Sequence, residues 1–273
     1  LKGNLSIPTG TTLSCTSNTG TIVFSGTSAT QTISLASGST LGDRVSFEIG
    51  DGTNASTVQL INQNLVLTNA VNKVTVNDKG ILDFNYRDIT GSGPFELKAG
   101  GTLKVTSAAG INASGATGNV QSSGTRTISQ SGIFHYIGNV TPQATGTAIT
   151  SGSTGKVIII EKTNPTDVVN LTQSTGTTGR LEIIEGTFVE TAASNISGSG
   201  DLVMSGGTYR TAVAGVSPNL VPQLSGTFNL TGGTIDLNAA GAQILKGARD
   251  YRNLTFSTSG TKTLSSAPSS ITG

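Results

Sequence analysis

Glu182, Glu185 and Glu190 form the best candidate cluster of carboxylates in this 273-residue chain, and Glu161 stands upstream of them. Two carboxylates converging on one face could serve as acid and base at a glycosidic bond, and a larger set could hold calcium. Glu182 alternates with Leu181 and Ile183, however, so on a strand it points outward, and Glu185 falls at a glycine turn. The group reads as a solvated outer face, because side chains on a strand share a face only every second residue. Asp78, Asp83 and Asp88, with Arg87 beside the last, are spaced by five and so do not share a strand face either. His135 is the single histidine. It alternates with Phe134 and Tyr136, and neither a Gly-x-Ser-x-Gly elbow nor a nucleophile and orienting acid accompanies it. Gly50-Asp51-Gly-Thr-Asn54 offers oxygen ligands but lacks the calcium-loop and nonapeptide spacings, and it reads as an Asx turn. Cys15 stands alone, so no disulfide forms within the chain, and it reads as a small buried apolar side chain. No catalytic, cofactor-binding or metal residue is assigned. No cofactor is expected, and the chain reads as a non-enzyme.

The elements that would position these residues come from a repeat. Gly179 to Phe188, Gly200 to Tyr209 and Gly226 to Ile235 each fit Gly, any residue, apolar, any residue, apolar, two residues, Gly, Thr, apolar. Strand, glycine turn and strand at a period near 20–26 residues predict an all-β chain wound as a right-handed parallel β-helix. The expected form is one elongated solenoid segment over 1–273. Inward columns are expected at Leu181, Ile183, Leu202, Met204, Phe228 and Leu230, with a second column at Phe188, Tyr209 and Ile235. Tandem immunoglobulin-like sandwiches are the competing architecture, but the aromatics are too few (Phe 8, Tyr 4, Trp 0) and the period too short. Ala239 to Arg252 is the one stretch with a helical cast. It contains Gly241 and Gly247 and has no capping box, so it reads as strand and turn.

Gly, Ser and Thr make up 112 of the residues (37, 32 and 43), a composition near that of disordered linkers. Short alternating apolar runs such as Thr21-Ile-Val-Phe24 and Val45-Ser-Phe-Glu-Ile49 argue for order instead. Sixteen basic and fifteen acidic residues, scattered, give no patch for nucleic acid. No apolar run approaches a bilayer span of about 18 residues. Three hydroxyl-rich echoes, Ser28 to Ser34, Ser123 to Ser129 and Ser259 to Ser265, share a Thr-x-Thr-apolar-Ser centre and predict outward Thr ladders. Eight Asn-x-Ser/Thr sites (Asn4, Asn54, Asn112, Asn139, Asn170, Asn195, Asn229 and Asn253) read chiefly as strand chemistry. The chain opens in strand-like residues, Leu1 to Pro8, and Ser269 to Gly273 carry no cap, which predicts a piece of a longer polypeptide.

The stretch Gly241 to Leu264, with Tyr251-Arg-Asn-Leu-Thr-Phe-Ser-Thr-Ser-Gly260-Thr-Lys-Thr-Leu264 at its centre, resembles a segment of very large secreted β-solenoid repeat proteins of gliding Bacteroidota. These include cell-surface adhesins exported by the type IX secretion system. Leu5-Ser-Ile-Pro-Thr-Gly-Thr-Thr-Leu13 and the Gly-Gly-Thr turns at Gly206 and Gly232 are similar to their rungs. The resemblance implies an extracellular, cell-surface location. Its implied partners are the type IX machinery, other segments of the same long chain, and surface or extracellular polysaccharide. The expected role is a stalk or a polyvalent surface- and glycan-binding rod. The alternative is a carbohydrate-active β-helix of the lyase or hydrolase kind, which requires Glu161, Glu182, Glu185, Glu190 and Asp201 to meet in one groove. An ice-binding solenoid would need Thr-x-Thr on successive rungs.

Overall fold

The computed structural model describes residues 1–151, 155–214, 220–267 and 270–271. The described chain is all β, with no helix, and its parallel strands stack as a β-solenoid of about 11 turns with about 24 residues each. It forms two compact units, Leu1–His135 and Tyr136–Gly273. The uncapped end read at Ser269 to Gly273 lies mostly outside the described residues.

In the first unit, one face is built from Leu5–Ile7, Gln31–Leu35, Ser56–Ile61, Gly80–Asp83 and Thr102–Val105, each pairing in parallel with the next. A second face stacks Gly20–Phe24, Val45–Ile49, Val74–Val76, Phe95–Leu97 and Arg126–Ile128. Parallel register puts like positions above one another. Phe24, Ile49, Val76 and Leu97 therefore form one column and Phe47, Val74 and Phe95 another, all buried. Each side chain is covered by the turns before and after it, so a chain poor in aromatics still closes a dry core.

The second unit repeats the scheme and explains the glycine motif. Leu181, Leu202 and Phe228 align in one column, and Ile183, Met204 and Leu230 in the next. Phe188, Tyr209 and Ile235 align in a third and are fully buried. These are the columns expected from the repeat, except that Phe228 and Leu230 are only half-buried. Phe228 instead meets the Arg249 guanidinium at 5.1 Å and the Lys246 ammonium at 5.7 Å from its ring centre. The motif's second glycines, Gly186, Gly207 and Gly233, have φ of 90°, 60° and 77°, a left-handed turn that a side chain resists. Its first glycines approach backbone directly: a Cβ on Gly200 would lie 2.9 Å from the Gly179 carbonyl oxygen, and one on Gly226 2.6 Å from that of Gly200. Between Ala239 and Arg252 the chain forms strand Gln243–Leu245, with strand Asp250–Tyr251 beginning at its end, as the glycines there predict.

Candidate functional site

The carboxylates singled out for chemistry are held in different places. Glu161 is exposed on strand Val157–Lys162, and it falls in register with Glu185 of strand Arg180–Glu185 across a bulge after Ile160. Glu182 points outward, as the alternation predicts, and accepts a 2.7 Å hydrogen bond from Arg180 Nε. Asp201 is the register partner of Arg180, and its Oδ1 accepts from the Thr227 amide at 2.7 Å.

Glu190 overturns the expectation for its group. It is completely buried, not on a solvated face. It shares its strand face with Phe188 on Thr187–Glu190, and the next turn covers it with Thr211 as Tyr209 covers Phe188. Its Oε2 accepts from the Tyr209 hydroxyl at 2.5 Å, and its Oε1 accepts from the Ile196 amide at 2.6 Å. Burial pushes its carboxyl up to about 7, although the hydrogen bonds from Tyr209, Ile196 and Thr211 pull the other way. The signal was present in the alternation Phe188-Val-Glu190, which places the carboxylate beneath a core aromatic.

The aspartate set is dispersed as its spacing implies. Asp78 is exposed in a turn. Asp83 is buried at the end of Gly80–Asp83 and accepts from Gln59 Nε2 (3.1 Å) and the Asn85 amide (2.9 Å). Asp88 is half-buried and accepts from Asn119 Nδ2 (3.2 Å) and Gln121 Nε2 (2.9 Å), with its carboxyl raised by burial. His135 is half-buried on the face opposite Phe134 and Tyr136, both of which are buried. Asp51 makes the expected Asx turn. Its Oδ1 accepts from the Thr53 and Asn54 amides at 2.9 and 2.8 Å, and these bonds, that of Asn54 foremost, hold its carboxyl down at about 2. Cys15 is half-buried where full burial was expected, because it lies in an exposed stretch, with its sulfur beside Gly20. Among the described residues, no group of three or more His, Cys, Asp or Glu is placed to hold a metal ion.

The hydroxyl-rich echoes also do something the sequence did not announce. They lie on three different sheets and do not stack on one another. What they share is the residue between the two threonines, a long donor that reaches into a corner and binds backbone carbonyls. Gln31 Nε2 donates to Leu1 and Gly3 (3.0 and 2.7 Å), Arg126 to Ser122, Asn112 and Gly115, and Lys262 Nζ to Ala239, Gly241 and Ser259. Gln243 repeats the device, donating to Thr211 and Val213 and accepting from the Ala239 amide. These plugs bind corner carbonyls from the side; those of Leu1 and Thr211 also accept from the backbone amides of Ser25 and Asn238.

Family models, curated proteins and solved structures were all compared with the chain, and none matches.

One further arrangement lies in the corners of the first unit. A surface cavity of about 320 Å³ spans three successive turns, between Leu35 and Leu41, between Asn62 and Thr68, and at Arg87. No carboxylate lines it. Its walls are fixed by local bonds: Asn62 Nδ2 donates to Ser34 Oγ (2.8 Å), Asn64 Oδ1 accepts from the Asp88 amide (3.0 Å), and Ser39 Oγ donates to the Ala36 carbonyl (2.7 Å).

Proposed function

We propose that this chain is an extracellular structural segment of a large bacterial surface repeat protein, acting without catalysis as a stalk or as a polyvalent surface- and glycan-binding rod. One observation carries the reading. Of the carboxylates that sequence offered for chemistry, Glu190 and Asp83 are in the core, and Glu182, Asp201 and Asp88 are tied up by local hydrogen bonds, while turn after turn is spent on continuous ladders. Parallel ladders loaded along their stacking direction resist pulling. Outward polar pairs such as Thr12–Thr40 (Oγ1 to Oγ1 2.8 Å) and Ser174–Asn195 (2.8 Å) offer repeated hydrogen-bonding sites to a hydrated polymer. The resemblance of Gly241 to Leu264 to adhesin segments supports a bacterial cell-surface location and type IX export, with polysaccharide and neighbouring segments of the same protein as partners. A glycan array on the purified chain tests the binding role, and retention of the protein on washed cells of its source tests the location. An array without a hit from any polysaccharide class removes the glycan-binding half of the proposal.

A carbohydrate-cleaving reading has one observation in its favour. Glu161 and Glu185 hold matching positions in neighbouring turns, and strands so paired lie about 4.8 Å apart. That is near the separation of about 5–5.5 Å between the carboxyls of retaining hydrolases. Polysaccharide cleavage that disappears in both Glu161→Gln and Glu185→Gln would replace the structural reading with this one.

A further inference from the structure

The corner cavity of the first unit is more selective than a polar face. Thr40, Asn62, Gln63 and Asn64 supply hydroxyl and amide groups, Val66 supplies apolar surface (42% exposed), and Arg87 supplies a cation. Among the described residues no carboxylate lines the cavity, and the anion nearest the guanidinium in sequence, Asp88, interacts with it electrostatically without forming an ion pair. Asp88 is engaged by Asn119 and Gln121. Arg87 Nε is buried without a hydrogen-bond partner, and Nη1 makes only a long 3.3 Å bond to the Tyr86 carbonyl. Nε is sealed from the cavity, so an anion there can meet the guanidinium only through its Nη atoms.

The backbone before Arg87 is also unusual. Asn85 and Tyr86 are both left-handed, with φ of 46° and 60°. Side-chain-bearing residues seldom adopt that conformation, and two in a row hold it only when the surroundings impose it. Here Asp83 accepts from the Asn85 amide, Thr106 Oγ1 accepts from the Tyr86 amide (2.9 Å), and Asn85 Nδ2 donates to the Leu60 carbonyl (3.1 Å). The strained corner fixes the backbone at Arg87 and leaves Tyr86 48% exposed one residue away.

The geometry points to a binding subsite for an acidic sugar residue, with Arg87 taking its carboxylate or sulfate and the amide and hydroxyl side chains taking its ring hydroxyls. A guanidinium pairs with such planar or tetrahedral anions through two parallel hydrogen bonds, and a cavity of this size suits one or two sugar rings. The assignment rests on the proposed reading of the chain as a glycan-contacting surface segment, and it narrows the ligand to anionic polysaccharide.

Calorimetric titration of the full chain with oligogalacturonate, sulfated dextran oligomers and neutral dextran oligomers tests it. Oligogalacturonate or sulfated dextran is expected to bind at least about tenfold tighter than neutral dextran, and whichever binds identifies the anion. Arg87→Gln is expected to remove that advantage, and Lys98→Gln, an exposed lysine outside the cavity lining, to leave it intact. Should Arg87→Gln lose its strand signal in circular dichroism, Val66→Asp serves instead. It alters an exposed side chain and sets a repelling carboxylate in the cavity wall. Acidic oligomers that bind Arg87→Gln and Val66→Asp as they bind the wild type overturn the subsite and leave the glycan-binding role standing. A chain that binds none of the three oligomers overturns the subsite, and the glycan array decides the wider role separately.

Discussion

Replacing Glu190 with Gln isolates what ionisation of a buried carboxyl costs the second unit. In the fold the group titrates near 7, against 4.5 for an ordinary glutamate. At 1.36 kcal/mol per unit, that difference of 2.5 corresponds to about 3 kcal/mol. Below pH 4.5 both native and unfolded chains hold the proton, and the carboxyl favours neither pH direction. Between 4.5 and 7 the unfolded chain releases the proton while the native chain keeps it, so stability falls as pH rises, and above 7 the loss is complete. E190Q has no proton to lose. Urea unfolding of both proteins from pH 4.5 to 8 is therefore expected to show their stability difference moving by about 3 kcal/mol in favour of E190Q toward high pH. Taking the difference removes groups common to both, such as Asp88. Solenoid turns can unfold piecemeal, so exchange of the Ile196 amide, which the carboxylate accepts at 2.6 Å, gives a local readout of the same cycle. A difference that stays constant across this range would refute the burial argument.

Gly207→Ala is expected to cost about 1–2 kcal/mol from its left-handed backbone alone, and more because its Cβ would press on the Gly186 carbonyl oxygen at 2.5 Å; Gly3→Ala, with nothing within 4 Å, serves as the neutral control in the same urea titration. Leu202→Ala opens a hole in a column sealed above and below, and thermal unfolding should report a loss of about 2–5 kcal/mol. Gln243→Ala removes the side-chain bonds to the Val213 carbonyl and the Ala239 amide at about 1 kcal/mol or more each, whereas the Thr211 carbonyl keeps the Asn238 amide, and exchange of the Ala239 amide should rise most. Leu202→Ala variants as stable as the wild type would contradict the stacked-column core.

The repeat was legible because glycine is tied to geometry at two kinds of position. Gly186, Gly207 and Gly233 need a left-handed turn, and Gly179, Gly200 and Gly226 need backbone approach, so their spacing discloses the coil. The columns followed, since parallel register transmits alternation from one turn to the next. Glu190 was misjudged because its environment comes from a later turn. Tyr209 and Thr211 cover it from about twenty residues on, and only the shared face with Phe188 hinted at that within its own strand. The Thr-x-Thr echoes were read for their hydroxyls, whereas the structural work falls to the donor between them. Corners rather than strands decide that role, and corner carbonyls have no pattern in sequence. The cavity is the extreme case, as its wall draws on three segments whose alignment depends on the turn lengths between them.

This division between faces and corners bears on recognition. A face repeats because register repeats it, so neutral hydrogen-bonding groups along a ladder bind weakly at many points and without a preferred site. A corner escapes the repeat, since each connection has its own length and can set a charge where no ladder demands one. The two modes differ in their response to salt. Binding through Thr and Asn ladders should change little between about 0.05 and 0.5 M salt, whereas binding at Arg87 should weaken markedly as the screening length shrinks from about 14 Å to about 4 Å. Acidic oligosaccharide binding to the wild-type chain that is indifferent to salt over this range would place recognition on the faces and leave Arg87 without the assigned partner.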